Sequence, residues 1–291
     1  MAAEMPRPLA CEICGGPLRE KGTTTTALMG QQDGTLRAWR RAIWSCRSCG
    51  HRIAEGSYAD AEHYAALGAE TTWSKDSARG LVKALRHELP PQAKILDIGC
   101  NNGDLLRSCF GEHQLFGVEP NGGAAAVATQ GGVTILSPTL EELDLEPHQG
   151  TFDAIFAFDL IEHLPDASFM LRACRSLLKP GGMLVLETGC ADALVPRLEG
   201  KRWYYLRFFE HVRSFSSKSM ALALREAGFL PPRIRLQSHS GSRFRHYGKR
   251  GALGLLANAL GLNKPSPDRD GPVFFPFLDH MLVMAKTAVD I

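Results

Sequence analysis

The segment Lys94-Ile-Leu-Asp-Ile-Gly-Cys-Asn-Asn-Gly-Asp-Leu-Leu106 constrains the fold more than any other stretch of the chain. Residues 95–98 form a short apolar run with the length of a central parallel strand, which is buried on both faces and so shows no alternation. The loop from Gly99 to Gly103 ends it, and Asp104-Leu105-Leu106-Arg107 opens a helix. A strand that turns through glycine into a helix is the first half of a βαβ unit, so an α/β chain is expected. Glycine at 99 and 103 lets the backbone approach a bulky ligand closely. A dinucleotide would want Gly-x-Gly-x-x-Gly to seat a pyrophosphate on the helix N-terminus. The spacing here is Gly99-x-x-x-Gly103 with Asp97 before it, which suits a zwitterion whose ammonium Asp97 meets directly or through water.

The rest of the central region repeats the alternation. Residues 114–120 read as a second strand ending at Glu119-Pro120, about twenty residues past the glycine loop, where an acid can accept both hydroxyls of a ribose; the other reading of Glu119 is an exposed turn acid. Residues 132–136 supply a third strand, and residues 137–142 a loop in which Thr139 and Leu140 could flank an adenine ring. Residues 152–159 make a fourth strand opening into Leu160-Ile-Glu-His-Leu-Pro165, with Phe158 and Asp159 at the strand end and Glu162 and His163 beyond it. A helix over 167–178, the turn Lys179-Pro-Gly-Gly182 and a strand over 183–188 complete a doubly wound sheet.

Two knuckles precede this region, Cys11-Glu-Ile-Cys14-Gly15 and Cys46-Arg-Ser-Cys49-Gly50. Four thiolates match the closed tetrahedral site of structural zinc, and the glycine after each pair lets the turn take positive φ. A pair of redox dithiols is the competing reading. His51 is not needed as a ligand once four thiolates complete the shell. The intervening residues 15–45 are expected to form a hairpin arm, with residues 36–44 as a strand entering the second knuckle. Arg37, Arg40, Arg41, Arg47 and Arg52 make this module basic; an anionic substrate is one reading, and a solvated face is the default. Cys100, Cys109, Cys174 and Cys190 read as small core residues.

With 291 residues and 44% hydrophobic content, the chain is expected to hold a zinc ribbon (1–56), a linker with lid helices (57–93) and a doubly wound domain (94–291) carrying an insertion at 240–275. A net charge of +2 gives no overall reason to invoke nucleic acid. The amino terminus lacks the pattern of a signal peptide, and no apolar run approaches a membrane span, so a cytoplasmic protein is expected.

Taken together, ILDIGCNNGDLL, FGVEP, FDAIFAFDLIEHLPD and LLKPGGMLVLET resemble the successive motifs of class I S-adenosylmethionine-dependent methyltransferases over about residues 77–235. Asn101 stands where a third loop glycine is common. The resemblance implies a seven-stranded Rossmann-like sheet closed by an antiparallel pair near residues 233–237 and 280–285. It also implies S-adenosyl-L-methionine as cofactor, with Asp97, Gly99, Cys100, Asn101, Gly103, Glu119, Pro120, Thr139, Leu140, Phe158, Asp159 and His163 as candidate cofactor residues and Cys11, Cys14, Cys46 and Cys49 as candidate ligands of structural Zn2+.

The segment Glu210-His-Val-Arg-Ser-Phe-Ser216 resembles the EHxxxFS element of zinc-ribbon-bearing small-molecule methyltransferases, sugar C-methyltransferases among them, in which the histidine is a proposed base. By that resemblance His211 and Glu210 are the candidate catalytic residues, with a structural role for His211 as the alternative. Phe208-Phe209 stands where the sugar enzymes carry tyrosine and histidine, and their long carboxyl-terminal domain is not matched. The expected function is methyl transfer to a small-molecule acceptor, a sugar or specialised metabolite, by O- or C-methylation in a biosynthetic context. An RNA or protein methyltransferase that reads its substrate through the zinc module, and a noncatalytic cofactor-binding scaffold, stand as alternatives. The basic, aromatic stretch 240–250 and the apolar helix 252–260 are read first as packing on the core or in a homodimer, and second as substrate contacts.

Overall fold

The computed structural model describes residues 8–26, 39–55, 82–83, 85–208, 210–237 and 279–289. The lid segment before Val82, the 240–275 insertion, Phe209 and Arg37 lie outside the described residues. The chain divides into two compact units that interleave along the sequence. One comprises Met1–Tyr58, Gly189–Ser219 and Leu236–Met281, the other Ala59–Thr188, Met220–Arg235 and Leu282–Ile291.

In the first unit, β1 (Leu18–Thr26) and β2 (Trp39–Cys46) form the expected hairpin arm, antiparallel from Leu18↔Cys46 to Thr26↔Trp39. β2 passes directly into the second knuckle, and the chain returns as β3 (Arg52–Ala54), antiparallel to β2.

Among the described residues, the second unit opens with helix at Val82, Lys83 and Leu85 and then follows the alternation read from the sequence. Its elements are β4 (Lys94–Ile98), α1 (Asp104–Phe110), β5 (Gln114–Val118), α2 (Gly122–Gln130), β6 (Thr134–Ser137), β7 (Phe152–Phe158), α3 (Ala167–Leu177) and β8 (Leu178–Gly189). Asn121 and Asp166 cap α2 and α3, accepting from the Ala124 and Phe169 amides at 3.0 and 2.8 Å. α3 buries Met170, Leu171, Cys174 and Leu177, the stripe a sheet-covering helix needs.

The chain continues through α4 (Leu194–Glu199), β9 (Arg213–Ser214), α5 (Ser217–Glu226), β10 (Arg233–Gln237) and β11 (His280–Lys286). The seven-stranded sheet has the order β10-β11-β8-β7-β4-β5-β6, and β4 to β8 pair in parallel. Leu230 donates to Lys286 and Asp279 to Gln237, while Thr287 donates to Gly182 and Cys190 to Asp279. The numbering therefore runs in opposite senses, and the last strand is antiparallel as expected. Ile95, Leu106, Phe110, Phe156, Val185 and Leu282 lie in the core of this unit, and Val82 and Leu85 belong to it too.

One element departs from the sequence reading. Lys179-Pro-Gly-Gly182 was expected as a turn before the fifth strand; it lies inside β8, where the register jumps from Phe152↔Leu178 to Ala154↔Met183. Lys179 Nζ bonds both carboxylate oxygens of Asp153 at 2.8 Å, and Thr287 donates to its carbonyl at 2.7 Å. Those tethers hold the extra residues against the sheet as a bulge. Among the described residues, no helix is long and apolar enough to cross a membrane.

Candidate active site

Because the chain steps from β4 outward to β5 and β6 and then returns to β7 on the other side, the switch point of the second unit lies between β4 and β7. Asp97, fully buried, pairs in register with Gly117 on β5 and Phe156 on β7. The loop beyond it is left-handed at three alternate positions, Gly99 (φ 73°), Asn101 (φ 51°) and Gly103 (φ 73°). Asparagine is the side chain that tolerates this region best after glycine, which accounts for Asn101 where a third glycine is common. Gly103 is required on a second ground: a Cβ there would stand 2.9 Å from Val133 Cγ2. The Cys100 thiol packs on Gly117, and the Cys100 amide donates to the Val118 carbonyl.

Glu119 closes β5 at 8% exposure, accepting from the amides of Asn101 at 2.8 Å and Asn121 at 2.9 Å. Two backbone donors fix its plane and tie the glycine loop to the next strand. Pro120 is half-buried beside it, Leu140 is buried, and Thr139 bonds locally to Glu142. On the other side Phe158 stacks on Phe156 at 5.9 Å, and Asp159 takes φ 47° while its amide donates to the Glu187 carbonyl. Leu160 comes to within 3.7 Å of the place a Gly99 Cβ would occupy, which brings the two loops together. The half-buried His163 donates its amide to Leu160, and buried Glu162 accepts from Thr188 at 2.9 Å. Asp97, Glu119 and Asp159 thus close three neighbouring strands with carboxylates. Such an edge repels a pyrophosphate and accepts from hydroxyls and a cationic centre, the donors that S-adenosylmethionine presents.

His211 belongs to the first unit. Its Nδ1 lies 2.9 Å from the Tyr205 carbonyl oxygen, and a carbonyl can only accept. The proton therefore resides on Nδ1, which makes Nε2 the acceptor nitrogen of the neutral ring. The ring lies 4.0 Å from that of Tyr205 and 5.0 Å from that of Phe208. Tyr205 also stacks on Trp203 and meets the buried His280 edge-on. Its hydroxyl accepts from the Gly189 amide at 2.9 Å; any Cβ at 189 would collide with the Tyr205 ring.

The ribbon and the His211 segment fold as one body. β3 pairs with β9, extending the hairpin into the four-stranded sheet β1-β2-β3-β9. Arg213 donates to Glu12 Oε1 at 2.9 Å and to Oε2 at 3.3 Å, and His51 meets Oε1 at 2.7 Å. Burial alone would raise the Glu12 carboxyl; the His51 hydrogen bond and the Arg213 charge hold it at about 2. Ser216 donates to the Cys49 carbonyl and Lys218 to that of Ser48. Arg41, 2% exposed, donates to the carbonyls of Leu206 at 2.9 Å and His211 at 2.7 Å. Burial pushes its guanidinium down to about 9, against the charge of buried Glu210. The default of a solvated basic face is therefore wrong for Arg41, and also for Arg52, which donates to the Ala191 and Pro196 carbonyls. A run of arginines in sequence carries no phase, so it did not reveal which of them turn inward; Glu12, Arg213 and His280 were missed for the same lack of pattern.

The four knuckle sulfurs lie within 4.8 Å of one another, with Cys11–Cys49 at 3.6 Å and Cys14–Cys46 at 3.5 Å. A tetrahedral ion with Zn–S near 2.3 Å sets its sulfurs about 3.8 Å apart. Gly15 and Gly50, at φ 65° and 78°, close the two knuckles through bonds to the Cys11 and Cys46 carbonyls.

The family model described as "Methyltransferase domain" matches residues 72–230, more than half of the chain. The chain belongs to the class I S-adenosylmethionine-dependent methyltransferases. Over 102 residues the methyltransferase is 36% identical to the ubiquinone biosynthesis O-methyltransferase of Colwellia psychrerythraea, covering 33% of this chain and 41% of that protein. The corresponding protein of Xanthomonas axonopodis pv. citri is 37% identical over 106 residues, covering 34% and 44%. The match therefore spans less than half the length of these curated relatives. Among solved structures, the [4+2]-cyclase SpnF superposes with a TM-score of 0.51 at 18% identity, over 78% of this chain and 87% of that one. A fold shared with a protein named as a cyclase says nothing of the acceptor.

Proposed function

We propose that this methyltransferase O-methylates a small hydroxylated metabolite, with His211 as the base that removes the acceptor's proton. The observation that carries the reading is the Nδ1 contact of His211 to the Tyr205 carbonyl, which makes Nε2 the basic nitrogen. The names of the partly matching O-methyltransferases favour oxygen as the acceptor atom.

When bound, S-adenosylmethionine supplies a methyl group on a sulfonium. Asp97 would meet its ammonium, Glu119 its ribose hydroxyls and Thr139 and Leu140 its adenine ring, with Phe158 and Asp159 lining the pocket on the β7 side. Gly99, Cys100, Asn101 and Gly103 give the backbone path around it, with Pro120 and His163 flanking. The chemistry such a sulfonium would supply is methyl transfer to the acceptor oxygen, with the thioether sulfur as leaving group. The acceptor proton passes to His211 Nε2, and Glu210 offsets the charge of the imidazolium. The knuckle cysteines Cys11, Cys14, Cys46 and Cys49 hold a structural Zn2+; a closed four-sulfur shell offers no position for substrate.

Calorimetry with S-adenosylhomocysteine tests the cofactor half. Glu119→Ala is expected to lose about 1.5–3 kcal/mol, roughly ten- to a hundred-fold in affinity, as removal of a charged acceptor does. Methyl transfer from labelled cofactor to phenols, catechols and nucleotide sugars tests the acceptor half. Full turnover by His211→Gln on an accepted substrate would remove the base.

A further inference from the structure

We propose that Arg41, carried by the ribbon strand β2, is a positioning residue that sets the orientation and tautomer of His211; its consequence for turnover rests on the reading of His211 as base. The geometry is specific. Arg41 bonds the carbonyl of His211 itself and the carbonyl of Leu206, the residue after Tyr205, whose carbonyl receives Nδ1. Both bonds leave from Nη2, so a single nitrogen ties the backbone that carries the ring to the peptide that follows the ring's acceptor. A lysine ammonium ends one bond short of where Nη2 stands, so it cannot reach both carbonyls at these distances. Glu210, buried at 2% exposure, supplies the opposing charge that keeps the guanidinium inside.

A second tie works in the same direction. Glu12, inside the first knuckle, takes two bonds from Arg213, two residues past His211, and β9 is paired to β3. The ribbon is thus the frame against which the His211 segment is registered. Arg40, the neighbour of Arg41 on β2, is exposed and donates to Thr23 on the paired strand β1, which makes it the control.

The test is a nitrogen-15 spectrum of the histidine rings of the full chain near neutral pH, with His211→Gln used to assign the signal. The wild type and Arg40→Ala are expected to show the Nδ1–H form. Arg41→Lys and Arg41→Gln are expected to shift His211 toward the Nε2–H form and to speed amide exchange over residues 205–212 by about tenfold or more. S-Adenosylhomocysteine affinity should stay within about twofold in both. Should Arg41→Gln fail to fold, Arg41→Lys decides. A folded Arg41→Lys that keeps the Nδ1–H form and wild-type exchange overturns the proposal, as does loss of cofactor affinity in step with the tautomer, which would mark a general role in folding. The base reading fails separately, by full turnover of His211→Gln, and leaves the spectra of the Arg41 variants unaffected.

Discussion

Asn101 holds φ 51° between two glycines at φ 73°, and its side-chain oxygen accepts from the Asn102 amide at 2.7 Å. Left-handed backbone costs an ordinary L-residue roughly 1–2 kcal/mol, and asparagine offsets part of that by bonding locally. Asn101→Ala is expected to lower unfolding stability by about 1 kcal/mol in urea titration, while Asn101→Gly keeps wild-type affinity for S-adenosylhomocysteine. Gly103→Ala is the more severe change, because its Cβ would meet Val133 as well as an unfavourable φ. A loss of about 1–3 kcal/mol is expected, as in overpacked cores. Residues of this kind were legible before the fold was known: glycines, the strand-end acids Asp97 and Glu119, and the paired cysteines each carry a spacing tied to a local geometry. Arg41 was not legible, because its partners are main-chain carbonyls far along the sequence and no side-chain pattern marks a carbonyl.

The elements of the large sheet were readable because β4, β7 and most of β8 are apolar runs, and the antiparallel closure came from family resemblance. β9 has two residues, too few for any period, and its pairing with β3 depends on a contact that local sequence does not encode. α5 shows how such a segment is anchored. Asp192 Oδ1 accepts from the Ser217 amide at 2.9 Å, the Ser217 hydroxyl at 3.2 Å and the Cys190 thiol at 3.0 Å. Burial by itself would raise the Asp192 carboxyl, but those donors carry it below the ordinary value of 3.8. A depressed acid contributes stability that is fully present above its unfolded pKa and is lost as the pH falls through the folded one. Asp192→Asn should therefore be less stable than the wild type near neutral pH. The gap between their urea midpoints should close as the pH is taken below about 3.8; a gap independent of pH would show that the charge contributes nothing.

Across the whole molecule, the consequence of greatest weight is that the ribbon is not a bead at the end of the chain. Its unit includes Gly189–Ser219, so the knuckles and the His211 segment share one sheet and one set of buried groups. Val212 and Phe215 are fully buried and Arg213 is 1% exposed there, and the Phe215 ring lies 4.8 Å from that of His51. A chain starting at residue 57 would leave Arg213 without Glu12, and the carbonyls of Leu206 and His211 without Arg41. Arg213 is buried and Glu12 only partly so, which places the cost of losing this pair below the ~3–5 kcal/mol of a fully buried one, and the two carbonyls left without Arg41 add to it. The proposed zinc would enter the same balance, because metal bound only by the folded knuckles is folding free energy for everything built on them. Removal of metal by a strong chelator, followed by hydrogen exchange, is therefore expected to release residues 39–54 and 205–216 together. The strands β4, β5 and β7, whose core lies in the other unit, should keep their protection. Exchange confined to the knuckles and the hairpin would mean that the His211 segment holds its place without them, and that the ribbon is an appendage after all.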